Sequence, residues 1–265
     1  MILRRITKHV NDQNWFAVGL DFFIVVFGVG MALAAGEWLN TRAQKADLAT
    51  ARLAINEDLA IIYANALERL ALKDCRIAQV QSIADQLKTM DQPWTGIPAF
   101  ANNSAILGNL DGVMRSSFRS WPSGSWEAAK SRGLLTHMKD DQRQAIEGAF
   151  TMVPIAVDLQ NTIFQKQSLL KALTLEADLT PSDRLRYYDV LAEVDAASAL
   201  LEIGSGNTII HMETTFEQVA PETLAVFHDY LRETNAVGPL AYGDCYHPIT
   251  LPNVVLTPES LDLEP

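Results

Sequence analysis

The residues that could bind a metal ion or act on a substrate lie in two short clusters. His211-Met212-Glu213 has the H-x-E spacing used by zinc deaminases, and Asp244-Cys245-Tyr246-His247 brings several ligand types together within four positions. A zinc site needs three or four converging ligands, and the P-C-x-x-C half of the deaminase motif is absent from the sequence. The sequence also contains no HExxH motif, CxxC motif or phosphate-binding glycine loop. We therefore predict no catalytic residue, no metal ligand and no cofactor.

The two cysteines are the other groups with chemistry of their own. Cys75 lies in a stretch with helical periodicity, whereas Cys245 lies in a proline-rich C-terminal segment. Pairing cannot be deduced from sequence, so a disulfide and two unrelated thiols both stay open. A disulfide would tie the C-terminal segment to the first body helix and would suit an oxidising compartment.

Three tryptophans, Trp94, Trp121 and Trp126, cluster around a region rich in loop-forming residues. An indole ring combines a large apolar surface with one N–H donor, so such rings either line a ligand pocket or cover the end of a helical bundle. The second arrangement is the commoner one. We therefore keep the pocket as a hypothesis and do not expect a small-molecule ligand.

The elements that must position these groups divide into a basic, apolar head and an acidic body. The chain has 265 residues and a net charge of −11. Residues 1–45 hold five basic and three acidic side chains, a balance of +2, whereas the other 220 residues hold 16 basic and 29 acidic ones, a balance of −13. Binding to nucleic acid needs basic surface that displaces counterions from phosphate, so nucleic acid is excluded as a partner.

The head contains an apolar stretch that is long enough to cross a lipid bilayer. Residues 15–36 carry a single charge, Asp21. About 20 helical residues span a hydrocarbon core of about 30 Å. Trp15 and Trp38 bracket the stretch, and indole rings are favoured at the two membrane interfaces. The pattern predicts a transmembrane helix over residues 15–38.

A cleavable signal peptide is the alternative interpretation of the same segment. Three basic side chains lie among the first eight residues, and Ala32-Leu33-Ala34 has the A-x-A form of a cleavage site. However, Asp21 interrupts the apolar core that a signal peptide needs. We predict a basic leader at residues 1–14 followed by an uncleaved anchor, with secretion after cleavage as the alternative.

One face of the predicted transmembrane helix carries small residues and the single charge. Small residues spaced by four positions let a second helix approach closely in lipid, and a partner helix is the usual neighbour of an intramembrane carboxyl group. This face predicts contact with a second copy or with another membrane protein. The alternative is that small residues are simply common in such helices. At 100° per residue the face consists of Asp21, Gly28, Ala32, Ala35 and Gly36.

The orientation of the anchor is weakly marked in the sequence. Three basic residues precede the apolar stretch and three follow it within about 16 residues, so the positive-inside rule is nearly balanced. A short basic leader favours a cytoplasmic N-terminus, and a disulfide would favour a periplasmic body. We predict a single-pass protein of the bacterial inner membrane with a periplasmic body, and a cytoplasmic body is the alternative.

The body has the pattern of a helical bundle. Residues 37–92 contain no Gly or Pro, and apolar side chains recur there at intervals of three, four and seven. The apolar stripe drifts from a strict heptad, which favours a bundle helix over a coiled coil. The predicted fold is all-α, with one N-terminal transmembrane helix followed by a long helix and an extramembrane helical bundle. The bundle covers residues 39–236, and a proline-rich irregular tail covers residues 237–265.

Capping and helix-breaking residues set the predicted boundaries of the body helices. Thr180, Pro181 and Asp183 form the clearest helix start in the chain. The Gly204-Ser205-Gly206 segment predicts that this helix ends at Ile203. The remaining predicted features are a loop at residues 91–125, a helix from Trp126 to Arg132 capped by Ser125 and ended by Gly133, a helix capped by Asp140 or Asp141 and kinked at Pro154, a helix from Thr208 to Gln218, and a helix from Pro221 to about Thr234.

Residues in both the head and the body match a recurring pattern. In the head these are Asn14-Trp15-Phe16-Ala17-Val18, Asp21-Phe22, Ile24-Val25-Val26, Gly28-Val29, Trp38, Asn40 and Arg42, and in the body they are Ser125-Trp126-Glu127, Gly133-Leu134-Leu135, Met138, Asp140 and Arg143. The chain thereby resembles a family of uncharacterised bacterial single-span membrane proteins. Members carry a short basic leader, an N-W-F-A-V-x-L-D-F-x-I-V-V-x-G-V anchor and a helical extramembrane domain. The resemblance implies an anchor and a helical domain, and it implies no catalytic activity.

The function expected from the sequence is contact with other proteins. A membrane-anchored interaction, accessory or sensor protein would act through helix contacts in the membrane and through its extramembrane bundle. The lipid bilayer and either a second copy or another membrane protein are the expected partners. The alternative is a membrane-tethered or secreted enzyme, a hydrolase, whose site residues the sequence does not identify.

Overall fold

The computed structural model describes residues 15–99, 112–216 and 221–250, and the predicted leader, the middle of the predicted loop and the end of the predicted tail lie outside these ranges. Every regular element in the described ranges is helical, which confirms the all-α fold; an isolated backbone bridge joins Trp94 to Ala177. The α-helices are α1 (Trp15–Ala71), α2 (Lys73–Lys88), α3 (Gly124–Ser131), α4 (Asp140–Thr151), α5 (Val153–Leu170), α6 (Pro181–Phe216) and α7 (Pro221–Tyr242), with 3-10 turns at Leu134–His137, Lys171–Thr174 and Gly243–Cys245.

Helix α1 joins the apolar stretch and the first part of the predicted long helix into one element. Its 57 residues correspond to about 86 Å of helix. Leu72 interrupts the helical run, since its amide donates to the carbonyl of Arg69, three residues back, at 3.4 Å. The long helix is therefore present, but it is divided into α1 and α2 at this tightened turn.

The chain divides into two compact units, residues 1–50 and residues 51–265. In the second unit α6 packs against α2, α4 and α5, so the body is a helical bundle. Part of the apolar stripe predicted for the long helix faces the core of this bundle, since Ile55, Leu59, Ile62 and Ala66 of α1 are at most 4% exposed. The later stripe positions Leu70, Ile77 and Val80 are only partly buried.

The N-terminus of α6 has the capping arrangement that the sequence predicts. The Thr180 Oγ1 accepts a hydrogen bond from the Asp183 amide at 3.2 Å, and the Asp183 carboxylate accepts bonds from the Thr180 hydroxyl at 2.6 Å and the Thr180 amide at 3.2 Å. Each residue thus satisfies a free amide of the first turn. Hydrogen bonding from Thr180 lowers the pKa of Asp183, because the bonds favour the carboxylate.

The predicted end of this helix at Ile203 is wrong. α6 continues through the Gly204-Ser205-Gly206 segment to Phe216, and the separate helix predicted after the segment is its C-terminal part. A Cβ atom on Gly204 would lie 2.7 Å from the Cε atom of Met152, and the Thr208 hydroxyl donates to the Gly204 carbonyl at 3.0 Å. Glycine serves here to admit a neighbouring side chain, and tertiary packing outweighs its low helix propensity.

Two further boundaries differ from the prediction in detail. Ser125 does not cap α3, because its amide and hydroxyl donate to the carboxylate of Asp58, and Ser123 is the residue that precedes the helix. Gly133 follows α3 with a φ of 71°, as expected for a helix-ending glycine. Pro154 lies at the second position of α5, so the predicted kink is a break between α4 and α5.

Helix α7 starts at Pro221 as predicted but continues beyond the predicted end near Thr234. It runs to Tyr242 and includes Pro239, so the irregular tail predicted from residue 237 begins later. Proline removes one backbone hydrogen bond from the helix. Burial of apolar side chains, with Leu231 at 1% and Tyr242 at 8% exposure, offsets that loss.

Candidate functional site

The apolar segment of α1 exposes its side chains. Residues 19–43 are all exposed, and Phe22, Phe27 and Leu33 are 68%, 62% and 70% exposed. The segment is long and apolar enough to cross a membrane, and no part of its apolar stretch is buried. Continuous apolar surface of this size indicates contact with a membrane or with another protein.

The face predicted to pack against another helix lies on this segment. Asp21, Gly28, Ala32, Ala35 and Gly36 are all exposed. Nothing lies within 4 Å of the position that a Cβ atom would take at Gly28 or Gly36. This small-residue face is therefore open to a partner helix.

The two predicted interface anchors lie on the same helix. Trp15 begins α1, and its side chain lies outside the described part of the chain. Trp38 is 61% exposed, and the guanidinium carbon of Arg42 lies 5.6 Å from the centroid of its ring. An exposed indole beside a cation is suited to the headgroup layer of a membrane.

Cys75 and Cys245 form a disulfide, which decides between the two alternatives left by the sequence. Their Cα atoms are 5.3 Å apart, and 170 positions separate them in the chain. This Cα spacing is typical of a disulfide. The bond ties residues 243–250, which we name the C-terminal strap, to α2.

A close fit holds the C-terminal strap against α7. The Oδ1 atom of Asn235 accepts hydrogen bonds from the Tyr246 hydroxyl and the Ile249 amide, both at 2.8 Å. The Nδ2 atom of Asn235 donates to the Ile249 carbonyl at 3.0 Å. A Cβ atom on Gly238 would lie 2.5 Å from the Cε1 atom of Tyr246, so the tyrosine ring fits only over a glycine.

A buried ion pair lies close to the C-terminal strap. Glu68 is fully buried and accepts two hydrogen bonds from Arg119, Nε to Oε2 at 2.8 Å and Nη2 to Oε1 at 2.7 Å. Burial and the charge of Glu68 raise the pKa of the Tyr242 phenol, and the same two causes raise the pKa of Tyr246 to about 12. Both phenols therefore remain protonated near neutral pH.

The three tryptophans of the predicted pocket are core side chains. Trp94, Trp121 and Trp126 are 2%, 7% and 3% exposed. Trp121 borders a cavity of about 10 Å³, which is too small for a ligand. The structure gives each ring a different neighbour: Trp94 donates to the Leu173 carbonyl at 2.9 Å, Trp121 donates to the Gln160 Oε1 at 3.3 Å, and Trp126 stacks on Phe150 with ring centroids 5.3 Å apart.

The residue types that suggested metal binding have structural partners instead. The ring of His211 packs over Gly148, where an added Cβ atom would lie 3.2 Å from the His211 Nδ1. Glu213 accepts a hydrogen bond from the Tyr63 hydroxyl at 3.1 Å, and Cys245 is in the disulfide. Within residues 15–99, 112–216 and 221–250 no three His, Cys, Asp or Glu side chains are placed to hold a metal ion.

An open groove of about 580 Å³ lies between α2 and α6. We name it the body groove. Its volume is in the range of ligand sites, and its walls are mainly apolar. On α6 the wall continues into a ridge, because Ile203 and Ile210 are 62% and 61% exposed and lie two helical turns apart. The apolar lining consists of Leu70, Ile77 and Val80 on one side and Ala199, Ile203 and Gly206 on the other.

Charged side chains form the polar part of the body groove. Arg76 donates to both Glu202 oxygens, at 2.5 and 3.0 Å, and also pairs with Asp195. Burial acts to lower the pKa of Arg76, but hydrogen bonds to the two carboxylates outweigh it and raise the pKa. Lys73 is exposed at the rim and has no ion-pair partner among the described residues.

Sequence reasoning missed these ion pairs. Arg76 and Glu202 are 126 positions apart, and Glu68 and Arg119 are 51 positions apart. The one local signal is that Glu68 and Arg76 lie beside apolar stripe positions of the long helix. A charge at such a position predicts a buried partner without identifying it.

No protein-family model matches the chain, and neither the curated proteins nor the solved structures give a match.

Proposed function

We propose that the protein is a single-pass protein of the bacterial inner membrane and works by binding other proteins. Its basic leader lies in the cytoplasm, its apolar segment crosses the bilayer, and its helical body lies in the periplasm. It acts as an accessory or sensor subunit, and it belongs with the single-span proteins that its head resembles. The observation that carries this proposal is the fully exposed apolar segment of α1.

The hydrophobic effect supports the membrane anchor. Each fully exposed Leu or Phe side chain costs about 1.5–3 kcal/mol relative to its burial. The apolar segment exposes many such side chains, among them Phe22, Phe27 and Leu33. A bilayer covers this surface without any further protein element.

The disulfide supports a periplasmic body. Disulfides form and persist in oxidising compartments and are rare in the cytoplasm. Cys75 and Cys245 lie on separate elements of the body and are joined in the structure. A short leader with three basic side chains favours the cytoplasm for the other side of the membrane.

The small-residue face supports function through a partner helix. Gly28 and Gly36 leave open space along the helix, and Ala32 lies between them. Close approach of two helix backbones in lipid is driven by packing at such positions. Asp21 on the same face would point toward the partner helix, where a carboxyl group finds polar neighbours.

Selective labelling of the cysteines tests anchor and orientation. Cells with a permeabilised outer membrane are treated with a membrane-impermeant maleimide, with and without reductant. We expect labelling only after reduction, because both cysteines are bonded. The C75S/C245S variant is the control without thiols. Labelling that needs cell lysis and no reductant would place the body in the cytoplasm. Loss of the protein from carbonate-washed membranes, together with a mature N-terminus after Ala34, would replace the anchor by a cleaved signal peptide.

Paired substitutions test the helix contact in a transmembrane reporter assay. We expect G28I/A32I to abolish association, because two isoleucines fill the space that a partner helix needs. The matched control is G30I/A34I, which changes the same residue types with the same spacing about 180° away on the helix. Equal association for the two variants would reject the proposed face.

A further inference from the structure

We propose that the disulfide between Cys75 and Cys245 is a reducible latch that holds the C-terminal strap in place. A dithiol reductant attacks the Cys75 sulfur, and Gln79 stabilises the Cys245 thiolate that leaves. The released strap then moves off the junction of α1 and α2. This inference deepens the proposed sensor role by supplying a chemical signal, and it rests on the proposed function only for the compartment in which the reductant acts.

The C-terminal strap covers the residue that divides α1 from α2. Leu72, Tyr242 and Tyr246 are 4%, 8% and 6% exposed and form a small apolar cluster of their own. Cys245 and Ile249 of the strap pack against this cluster. The strap is therefore part of the cover over the tightened turn at Leu72, and its release uncovers that turn.

This small cluster is distinct from the packing of the bundle. α6 packs against α2, α4 and α5, whereas the strap makes three hydrogen bonds with Asn235 of α7. A satellite cluster of this kind can open locally while the main core stays intact. We therefore expect reduction to release the strap and to leave the helical bundle folded, although less stable.

The disulfide lies within reach of a reductant. Cys75 and Cys245 are both partly exposed, and the neighbouring Asp74 and Asp244 are exposed. A thiolate must approach one of the two sulfur atoms, so access governs the rate of exchange. Reduction of this bond therefore needs no prior unfolding of the body.

Gln79 makes the two sulfur atoms different. Its Nε2 atom donates to the Cys245 sulfur at 3.7 Å, and its Oε1 atom accepts a hydrogen bond from the Arg115 amide at 3.1 Å. The bond from Arg115 orients the side-chain amide, so that its donor group faces the sulfur. A donor stabilises a thiolate and makes that sulfur the better leaving group. Attack is thereby directed to Cys75.

The exchange has two steps, and its reductant is a protein or small molecule with two thiols. A thiolate of the reductant attacks the Cys75 sulfur, the bond to Cys245 breaks, and its electron pair stays on the Cys245 sulfur. The second thiolate of the reductant then attacks the reductant's own sulfur in the mixed disulfide and releases Cys75 as a thiolate. The two protein thiolates take up the two protons that the reductant loses. Two electrons thus pass to the protein, and the reductant becomes a disulfide.

Brief reaction of the purified full chain with glutathione, in detergent, tests the direction of attack. Glutathione has a single thiol, so a mixed disulfide accumulates, and N-ethylmaleimide caps the protein thiol that was released. Mass analysis should find glutathione on Cys75 and the maleimide on Cys245. The reverse arrangement, equal amounts of both, or no adduct would overturn the inference.

Substitution of Gln79 tests its role as a positioning residue. We expect Q79M to slow reduction by dithiothreitol about fivefold, because methionine retains the length of the side chain but offers no donor. A merely structural role predicts the opposite sign, since a loosened strap would expose the bond and speed its reduction. The matched control is Q81M on the same helix, because Gln81 is exposed at the rim of the body groove. An equal or faster reduction of Q79M relative to Q81M would contradict the role of Gln79.

Hydrogen–deuterium exchange of the oxidised and reduced full chain tests the release of the strap. We expect reduction to speed exchange about tenfold at residues 71–76 and 243–250, while α5 and α6 remain protected over the first minutes. The C75S/C245S variant should exchange like the reduced chain and should not respond to dithiothreitol. These measurements do not depend on the orientation of the anchor, so their failure would leave the proposed topology standing. Unchanged exchange in the strap, or simultaneous loss of protection across the body, would make the disulfide a static crosslink and overturn the latch.

Discussion

Removal of the charge on Arg119 is expected to destabilise the body, because it takes the ion-pair partner away from a buried carboxylate. Glu68 is fully buried, and Arg119 donates a hydrogen bond to each of its two carboxylate oxygens, at 2.7–2.8 Å. Breaking a buried ion pair from one side costs about 3–5 kcal/mol. The Arg119 side chain is 37% exposed, so water can partly replace it and the cost falls at or somewhat below the lower limit of this range. We expect R119M to lower the free energy of unfolding by about 2–3 kcal/mol.

The structure provides a closely matched control at Arg143. The Arg143 side chain is 38% exposed and binds Asp140 at 2.7 Å, but the Asp140 side chain is 89% exposed. The two arginines thus share exposure and bond length and differ in the burial of the carboxylate. An exposed pair of this kind contributes about 0.2–0.5 kcal/mol, so R143M should be nearly neutral.

Urea unfolding of the full chain in detergent, followed by tryptophan fluorescence, measures these differences. The double variant E68Q/R119M removes the stranded charge and should be more stable than R119M, because a neutral pair of similar shape often replaces an ion pair at little cost. Equal losses for R119M and R143M would refute the reasoning. Failure of E68Q to recover stability in the R119M background would equally show that the buried charge is not the cause.

Three other changes have outcomes that follow from single features. The C75S/C245S variant should lose up to about 5 kcal/mol of unfolding free energy, because the disulfide that it lacks closes a loop of 170 positions. An unfolding midpoint of the parent that does not change with reductant would contradict this prediction. G238A should destabilise the body by about 1 kcal/mol, because the cost of packing the added methyl group against the Tyr246 ring exceeds the gain in helix propensity from alanine. A higher thermal midpoint for the variant in calorimetry would exclude this clash. Because the pKa of Asp183 is lowered on folding, its carboxylate stabilises the fold above its unfolded pKa of about 4, and this stabilisation is lost as the pH falls through the folded pKa. As the pH falls below about 4, the free energy of unfolding should therefore decrease less in D183N than in the parent. Parallel pH profiles of the two proteins would refute this role of Asp183.

Local chemistry explains which structural features could be predicted. The capping box at Thr180 depends on residues within three positions of each other, and the structure contains it. The apolar stripe depends only on helical periodicity, and its part around Ile55 and Ile62 faces the core. The apolar segment at the N-terminus depends on composition and length, and in the structure it is the exposed part of α1.

Contacts between distant residues explain what could not be predicted. A glycine such as Gly204 weakens a helix by about 1 kcal/mol, yet α6 continues through it, with Met152 from another helix packed over the position. The sequence left the pairing of Cys75 with Cys245 open because nothing local relates two cysteines 170 positions apart. The body groove could not be derived either, because it exists only where α2 and α6 lie side by side.

The sequence by itself determined that the chain is helical, that its N-terminal segment is apolar enough for a membrane, and where its best-capped helix begins. These properties depend on side chains within a few turns of one another, whose effects act before any tertiary contact forms. Only the tertiary structure decided the disulfide, the partners of Glu68 and Arg76, and the face of α6 that stays open. Burial makes a charge depend on one particular partner, and folding rather than local pattern brings that partner within reach.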